Sequence, residues 1–81
     1  MNVYTATKVR VLKAGDFTGD ELGDIVTHMV DDVVADMDRH SLDTFCIVRN
    51  FHVDHTMTHT ETHTGLHLLI SVVGTATMEP R

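Results

Sequence analysis

The sequence predicts an α+β fold in β-α-β-β order, one amphipathic helix packed on a three-stranded, mainly antiparallel sheet, and three observations carry that expectation. Residues 3–12 alternate polar and apolar. Residues 22–37 repeat their apolar positions at three and four. Residues 43–57 and 66–77 alternate again across a short polar link. A period of two belongs to a pleated strand and a period near 3.6 to a helix. Residues 1–81 are read as one small domain, near the low end of what buries a core alone, so a homodimer or higher homo-oligomer is expected.

In the first strand Val3, Thr5, Thr7, Val9 and Val11 fall on one side, and Tyr4, Ala6, Lys8, Arg10 and Leu12 on the other. The β-branched residues suit a pleated surface. Lys13 to Asp16 read as a turn, and Thr18-Gly19-Asp20-Glu21 has capping-box spacing, which starts a helix. From there Leu22, Ile25, Val26, Met29, Val30, Val33, Val34 and Met37 form one apolar stripe, and the helix is expected to end near His40. Gly23 and the valines lower its intrinsic propensity, so burial against a sheet must hold it.

The second strand is expected from Asp43 to about Met57, with Phe45, Ile47, Arg49, Phe51, Val53 and His55 on one side. The third is expected from Leu66 to Thr77, with Leu66, Leu68, Ile70, Val72 and Ala76 on one side. A reversal near Thr60 and Glu61 would set Phe51 opposite Ile70 and Val53 opposite Leu68. The reverse face of this hairpin, with Cys46, Val48, Leu69 and Val73, is partly apolar. One helix covers only one face, so the other is expected to meet another subunit or a partner.

Composition narrows the function classes. Apolar residues make up 42% of the chain and are spread along it, which disfavours both disorder and a membrane span. The start of the chain lacks the basic region and apolar block of a secretory signal, so a cytoplasmic location is the expectation. Cys46 cannot form an internal disulfide and reads as a buried, inert thiol. No Gly-rich phosphate loop, nucleophile triad or paired-cysteine motif is present, and the protein is expected not to be an enzyme.

The net charge of −6 is concentrated. Residues 16–43 hold nine acids against the single base Arg39, a balance of −8 that leaves +2 for the rest of the chain. Direct nucleic-acid binding is disfavoured, because it needs Lys and Arg to displace counterions. On the helix Asp20, Asp24, Asp31 and Asp38 project together opposite the apolar stripe, flanked by Glu21, Asp32 and Asp36. Members separated by four or seven residues lie roughly 6–10 Å apart, of the order of phosphate spacing along a nucleic-acid strand. This line is a candidate surface for a basic, nucleic-acid-binding protein partner, which it would address as a nucleic-acid mimic; the plain alternative is a solvated face.

Five of the seven histidines, His52, His55, His59, His63 and His67, fall within sixteen residues, interleaved with threonines. In the expected register His52, Asp54 and His67 share a face, Asp54 nearly opposite His67, which makes them a candidate zinc or nickel site; the other three histidines are possible additions. The plain alternative is a polar hairpin of good strand propensity. Element order and size also resemble those of the dodecins, small flavin-storing oligomers. That likeness is one of order, and the chain has no tryptophan to stack on an isoalloxazine ring, so it leaves only a ligand-carrying oligomer as a further class.

Overall fold

The computed structural model describes residues 2–81 and has the strand-helix-strand-strand order: β1 (Asn2–Lys13), α1 (Gly19–Thr44), β2 (Cys46–Thr62) and β3 (Gly65–Pro80). The helix packs on one face of an antiparallel sheet of order β1-β3-β2, so the last strand is central and the first two are its edges. The long strands give the molecule its shape, 50 × 22 × 18 Å.

α1 begins where the capping residues lie. The Thr18 hydroxyl accepts the Glu21 amide at 3.2 Å. The reciprocal half differs from a full capping box, since the same hydroxyl also lies 3.2 Å from the Glu21 carboxylate. The helix runs four residues beyond the expected end near His40, and Phe45 stops it in the left-handed region at φ 55°, its amide bonding back to the last turn. Such a cap returns orphan carbonyls to partners, usually with glycine in that position. Only Met29, Val33, Met37 and Ser41 are fully buried on α1, a narrow stripe at four-residue spacing, and Val34 lies outside it.

That stripe meets the even-numbered residues of β3. Met29 and Val33 pack with Ala6, Leu68, Ile70 and Val72, while Met37 packs with Ala76 and Met78. Burying side chains such as Val33, Ile70 and Val72 stabilises by about 1.5–3 kcal/mol each. Gly74 lies in the same row, and a β-carbon there would sit 2.5 Å from the Val33 Cγ1 and 3.1 Å from the Phe51 ring. The missing side chain lets helix and edge strand close over the middle of β3.

Two features of β2 depart from the sequence expectation. It begins at Cys46 rather than Asp43, and a bulge between Arg49 and His52 inserts one residue against β3. Asn50 takes φ 53°, a conformation its short polar side chain tolerates. The bulge inverts the alternation. Cys46 and Val48 lie on the helix side with Phe51, packed at the Met37 cluster, while Ile47 and Arg49 face away. The expected continuous face from Phe45 through His55 is therefore broken, and Cys46 is half-buried.

The second departure is the register. The chain turns at His63 and Thr64, with Thr62 paired to Gly65, rather than near Thr60 and Glu61. Gly65 takes φ 122°, and the Thr62 hydroxyl accepts the Thr64 amide across the turn. The glycine fixes the place because side chains avoid that backbone conformation. Phe51 therefore lies far from Ile70, whose partner is Met57, and Val53 pairs with Gly74 instead of Leu68.

Candidate functional site

On α1 the acidic residues separate into two groups. Asp20, Asp24, Asp31, Asp32 and Asp38 are exposed on the helix away from the sheet. Asp20 and Glu21 also occupy the first turn, where negative charge favours the helix dipole. Asp36 belongs to the other group. Its carboxylate is a quarter exposed and lies 3.3 Å from the Lys8 ammonium on β1 and 3.3 Å from the Arg39 guanidinium. It ties the helix to the sheet. Arg39, the only base of the helix, is engaged with it, and the outward carboxylates show no ion pair among the described residues.

The register separates the three residues expected to share a metal. Asp54 pairs with Val73, His52 with Thr75 and His67 with Thr60. All three remain on the sheet face away from the helix, but Thr60 lies six residues along β2 from Asp54, roughly 20 Å at 3.3 Å per residue. The expected His52, Asp54 and His67 site is not formed, because the turn at Gly65 displaces the whole pairing. Among the described residues no three His, Cys, Asp or Glu side chains come together within the chain. The half-buried His67 instead places its Nδ1 3.4 Å from the Thr62 hydroxyl and 3.3 Å from the Gly65 carbonyl.

The face away from the helix carries Val3, Val9 and Val11 from β1 with Leu69 and Val73 from β3, set among threonines. Val9 and Val11 are each 59% exposed. Cys46 and Val48, expected here, lie on the other side for the reason given above. Near the turn, a shallow groove of about 420 Å³ runs between Val11 and Leu69 on one side and Thr60, Thr62, His63, Thr64 and His67 on the other.

One feature is missed by sequence reasoning, and a second is only partly anticipated by the polar-hairpin reading. Leu42 and Phe45 stand exposed at the end of the helix, Phe45 at 77%, beside Ile47. Strand alternation would put Phe45 on the side of Phe51 and Val53; the left-handed cap turns it out. The other is the edge of β2 beyond the bulge, where residues 52–62 are exposed on both faces except for the half-buried Val53. The signal for it was present in the run of alternating threonines and histidines, whose β-branched members suit a strand with no helix above it. No α-helix among the described residues is long and apolar enough to cross a membrane.

Comparison with known proteins found no matching family model, no matching curated protein and no matching solved structure, so the chemistry of these surfaces alone bears on function.

Proposed function

We propose that this protein is a non-enzymatic interaction protein, a homo-oligomeric regulator or inhibitor that presents its acidic helix to the basic surface of a nucleic-acid-binding protein. The observation that carries this reading is the segregation of the two outer surfaces. Asp20, Asp24, Asp31, Asp32 and Asp38 stand exposed on the helix, while the middle of the opposite sheet face carries Val3, Val9, Val11, Leu69 and Val73 among threonines, its charged and imidazole side chains lying on β2 and toward the strand ends. Association through the sheet would remove apolar surface from water and leave the helix outward. A carboxylate line then steers toward positive potential and occupies a groove that otherwise holds phosphates. Asp36 is set aside from the recognition surface, because Lys8 and Arg39 hold it.

Such carboxylates lie on a convex helix rather than in a cleft, which favours recognition over acid–base chemistry. The test is capture of partners on the full chain, comparing the native protein with an Asp24→Asn, Asp31→Asn, Asp38→Asn variant. The reading expects a basic nucleic-acid-binding protein that is retained by the first, lost by the second, and released by salt or by added DNA.

A further inference from the structure

We propose that the exposed edge of β2 pairs antiparallel with the β2 edge of a second copy about Met57, and that this pairing assembles two symmetric sites for a zinc-like ion, each formed by His55 of one copy with His59 and Glu61 of the other. The inference rests on the self-association part of the reading above and is independent of the acidic helix.

The two sheet edges differ in their protection. β1 carries Lys8, Arg10 and Lys13, the kind of charged side chains that keep an edge from pairing. β2 beyond its bulge, from His52 to Thr62, has no Lys, Arg, Pro or Gly, and both its faces are open except at Val53. Met57 is 42% exposed at the middle of this segment. Its charged side chains, Asp54 and Glu61, stand toward the two ends, and an edge of this length whose middle is uncharged and rich in β-branched residues is a template for a further strand.

The sequence indicates which strand. His55-Thr56-Met57-Thr58-His59 reads the same in both directions. Any antiparallel pairing of identical strands satisfies a two-fold axis, so the palindrome marks the centre rather than the symmetry: about Met57, residues 55–59 meet residues of their own kind. His55 then faces His59 of the second copy, and Thr56 faces its Thr58. Further out, Asp54 faces Thr60 and Val53 faces Glu61, so no like charges are opposed. The result is a continuous six-stranded sheet.

Metal ligation follows from this register. Within one chain His55 and His59 are four residues apart on one strand, about 13 Å, too far to share an ion. Across the pair, directly opposed β-carbons come within about 4.5–5.5 Å. Glu61 lies two residues beyond His59 on the same face, roughly 7 Å along the strand. Two imidazoles and one carboxylate form a donor set that suits zinc and leaves a fourth position open. Each ion bridges both copies, so metal binding and dimerisation are linked.

The test uses the full chain, stripped of metal, in sedimentation velocity with and without zinc chloride. With zinc at about ten times its dissociation constant for each site, two sites tighten dimerisation on the order of a hundredfold. His55→Ala and His59→Ala proteins, each alone, lack every complete site and should lose that gain. Mixed together they regain one complete site per heterodimer, with roughly tenfold tightening. Met57→Lys, which places a guard on the edge, should keep the circular dichroism of the native chain and abolish the zinc effect. Dimerisation that zinc does not tighten, zinc tightening that survives either histidine substitution, or no recovery on mixing would overturn the proposal. Association that persists unchanged in Met57→Lys refutes the edge pairing while leaving association through the sheet face standing.

Discussion

Gly74 and Val33 face each other so closely that a β-carbon on the glycine would stand 2.5 Å from the valine Cγ1. Val33 is completely buried, so it has nowhere to retreat. Phe51, 3.1 Å away on the edge strand, closes the other side. Gly74→Ala is therefore expected to lower stability by about 1–3 kcal/mol through overpacking. Gly23, on α1, has nothing within 4 Å of its added β-carbon, and Gly23→Ala should raise stability by roughly 0.5–1 kcal/mol. Urea midpoints of the two variants should move in opposite directions.

Tyr4 on β1 and His40 on α1 stack with ring centroids 3.7 Å apart and planes 10° from parallel. The pair locks the C-terminal half of the helix to the sheet edge beside the Met37 cluster. A double-mutant cycle with Tyr4→Ala and His40→Ala should return a coupling of about 0.5–1.5 kcal/mol. A coupling near zero would mean that the stack contributes nothing beyond each ring's own burial.

Asp36 and the outward carboxylates are expected to separate by phenotype. Asp36→Asn should cost about 0.2–1 kcal/mol, an effect that fades in high salt, because Arg39 is largely exposed and Lys8 partly so. It should leave partner capture intact. Asp24→Asn, Asp31→Asn and Asp38→Asn together should leave the unfolding midpoint nearly unchanged, since none makes an ion pair in the structure. Thermal denaturation in low and high salt checks both expectations.

Phe45 combines a left-handed backbone with a side chain left in solvent. Phe45→Gly should stabilise the monomer by about 1 kcal/mol, because glycine takes that conformation without a steric cost. Ser41, one turn earlier, donates its hydroxyl to the Cys46 carbonyl at 2.6 Å from a largely buried position. Ser41→Ala should cost about 1 kcal/mol by removing the shorter of the two side-chain hydrogen bonds that carbonyl accepts, the other coming from the Arg81 Nε at 3.4 Å. Chemical denaturation measures both, and opposite signs are expected.

How far the fold could be read in advance depends on which residues carried the signal. Alternation around Val9 and Val72, and the three-four repeat from Leu22 to Met37, report the period of the backbone directly, so the element types and their order were legible. Register was not, because matching faces constrain it only to steps of two residues. Leu68, Ile70, Phe51 and Val53 share the helix side of the sheet in the expected register and in the observed one, which pairs Ile70 with Met57 and Val53 with Gly74, and only the φ of Gly65 chooses between them. The bulge was hidden for a similar reason. Asn50 continues an alternating pattern on paper, and its positive φ becomes visible only when Val48 and Phe51 are found on the same side. The candidate metal residues His52, Asp54 and His67 failed together because their proximity depended on that register. The outward placement of Asp24, Asp31 and Asp38 depended only on helix phase, and it was correctly anticipated.

The measurement that bears most directly on the acidic-helix reading is a quantitative capture from cell lysate. The native chain and the Asp24→Asn, Asp31→Asn, Asp38→Asn variant would be immobilised at equal density, washed at low and then high salt, and the bound proteins identified by mass. The account predicts one or more basic nucleic-acid-binding proteins on the native chain, displaced by salt and by added DNA, and at least roughly tenfold depleted on the variant, as loss of about 1.4 kcal/mol or more requires. Equal recovery on both chains, or no such protein on either, would contradict it.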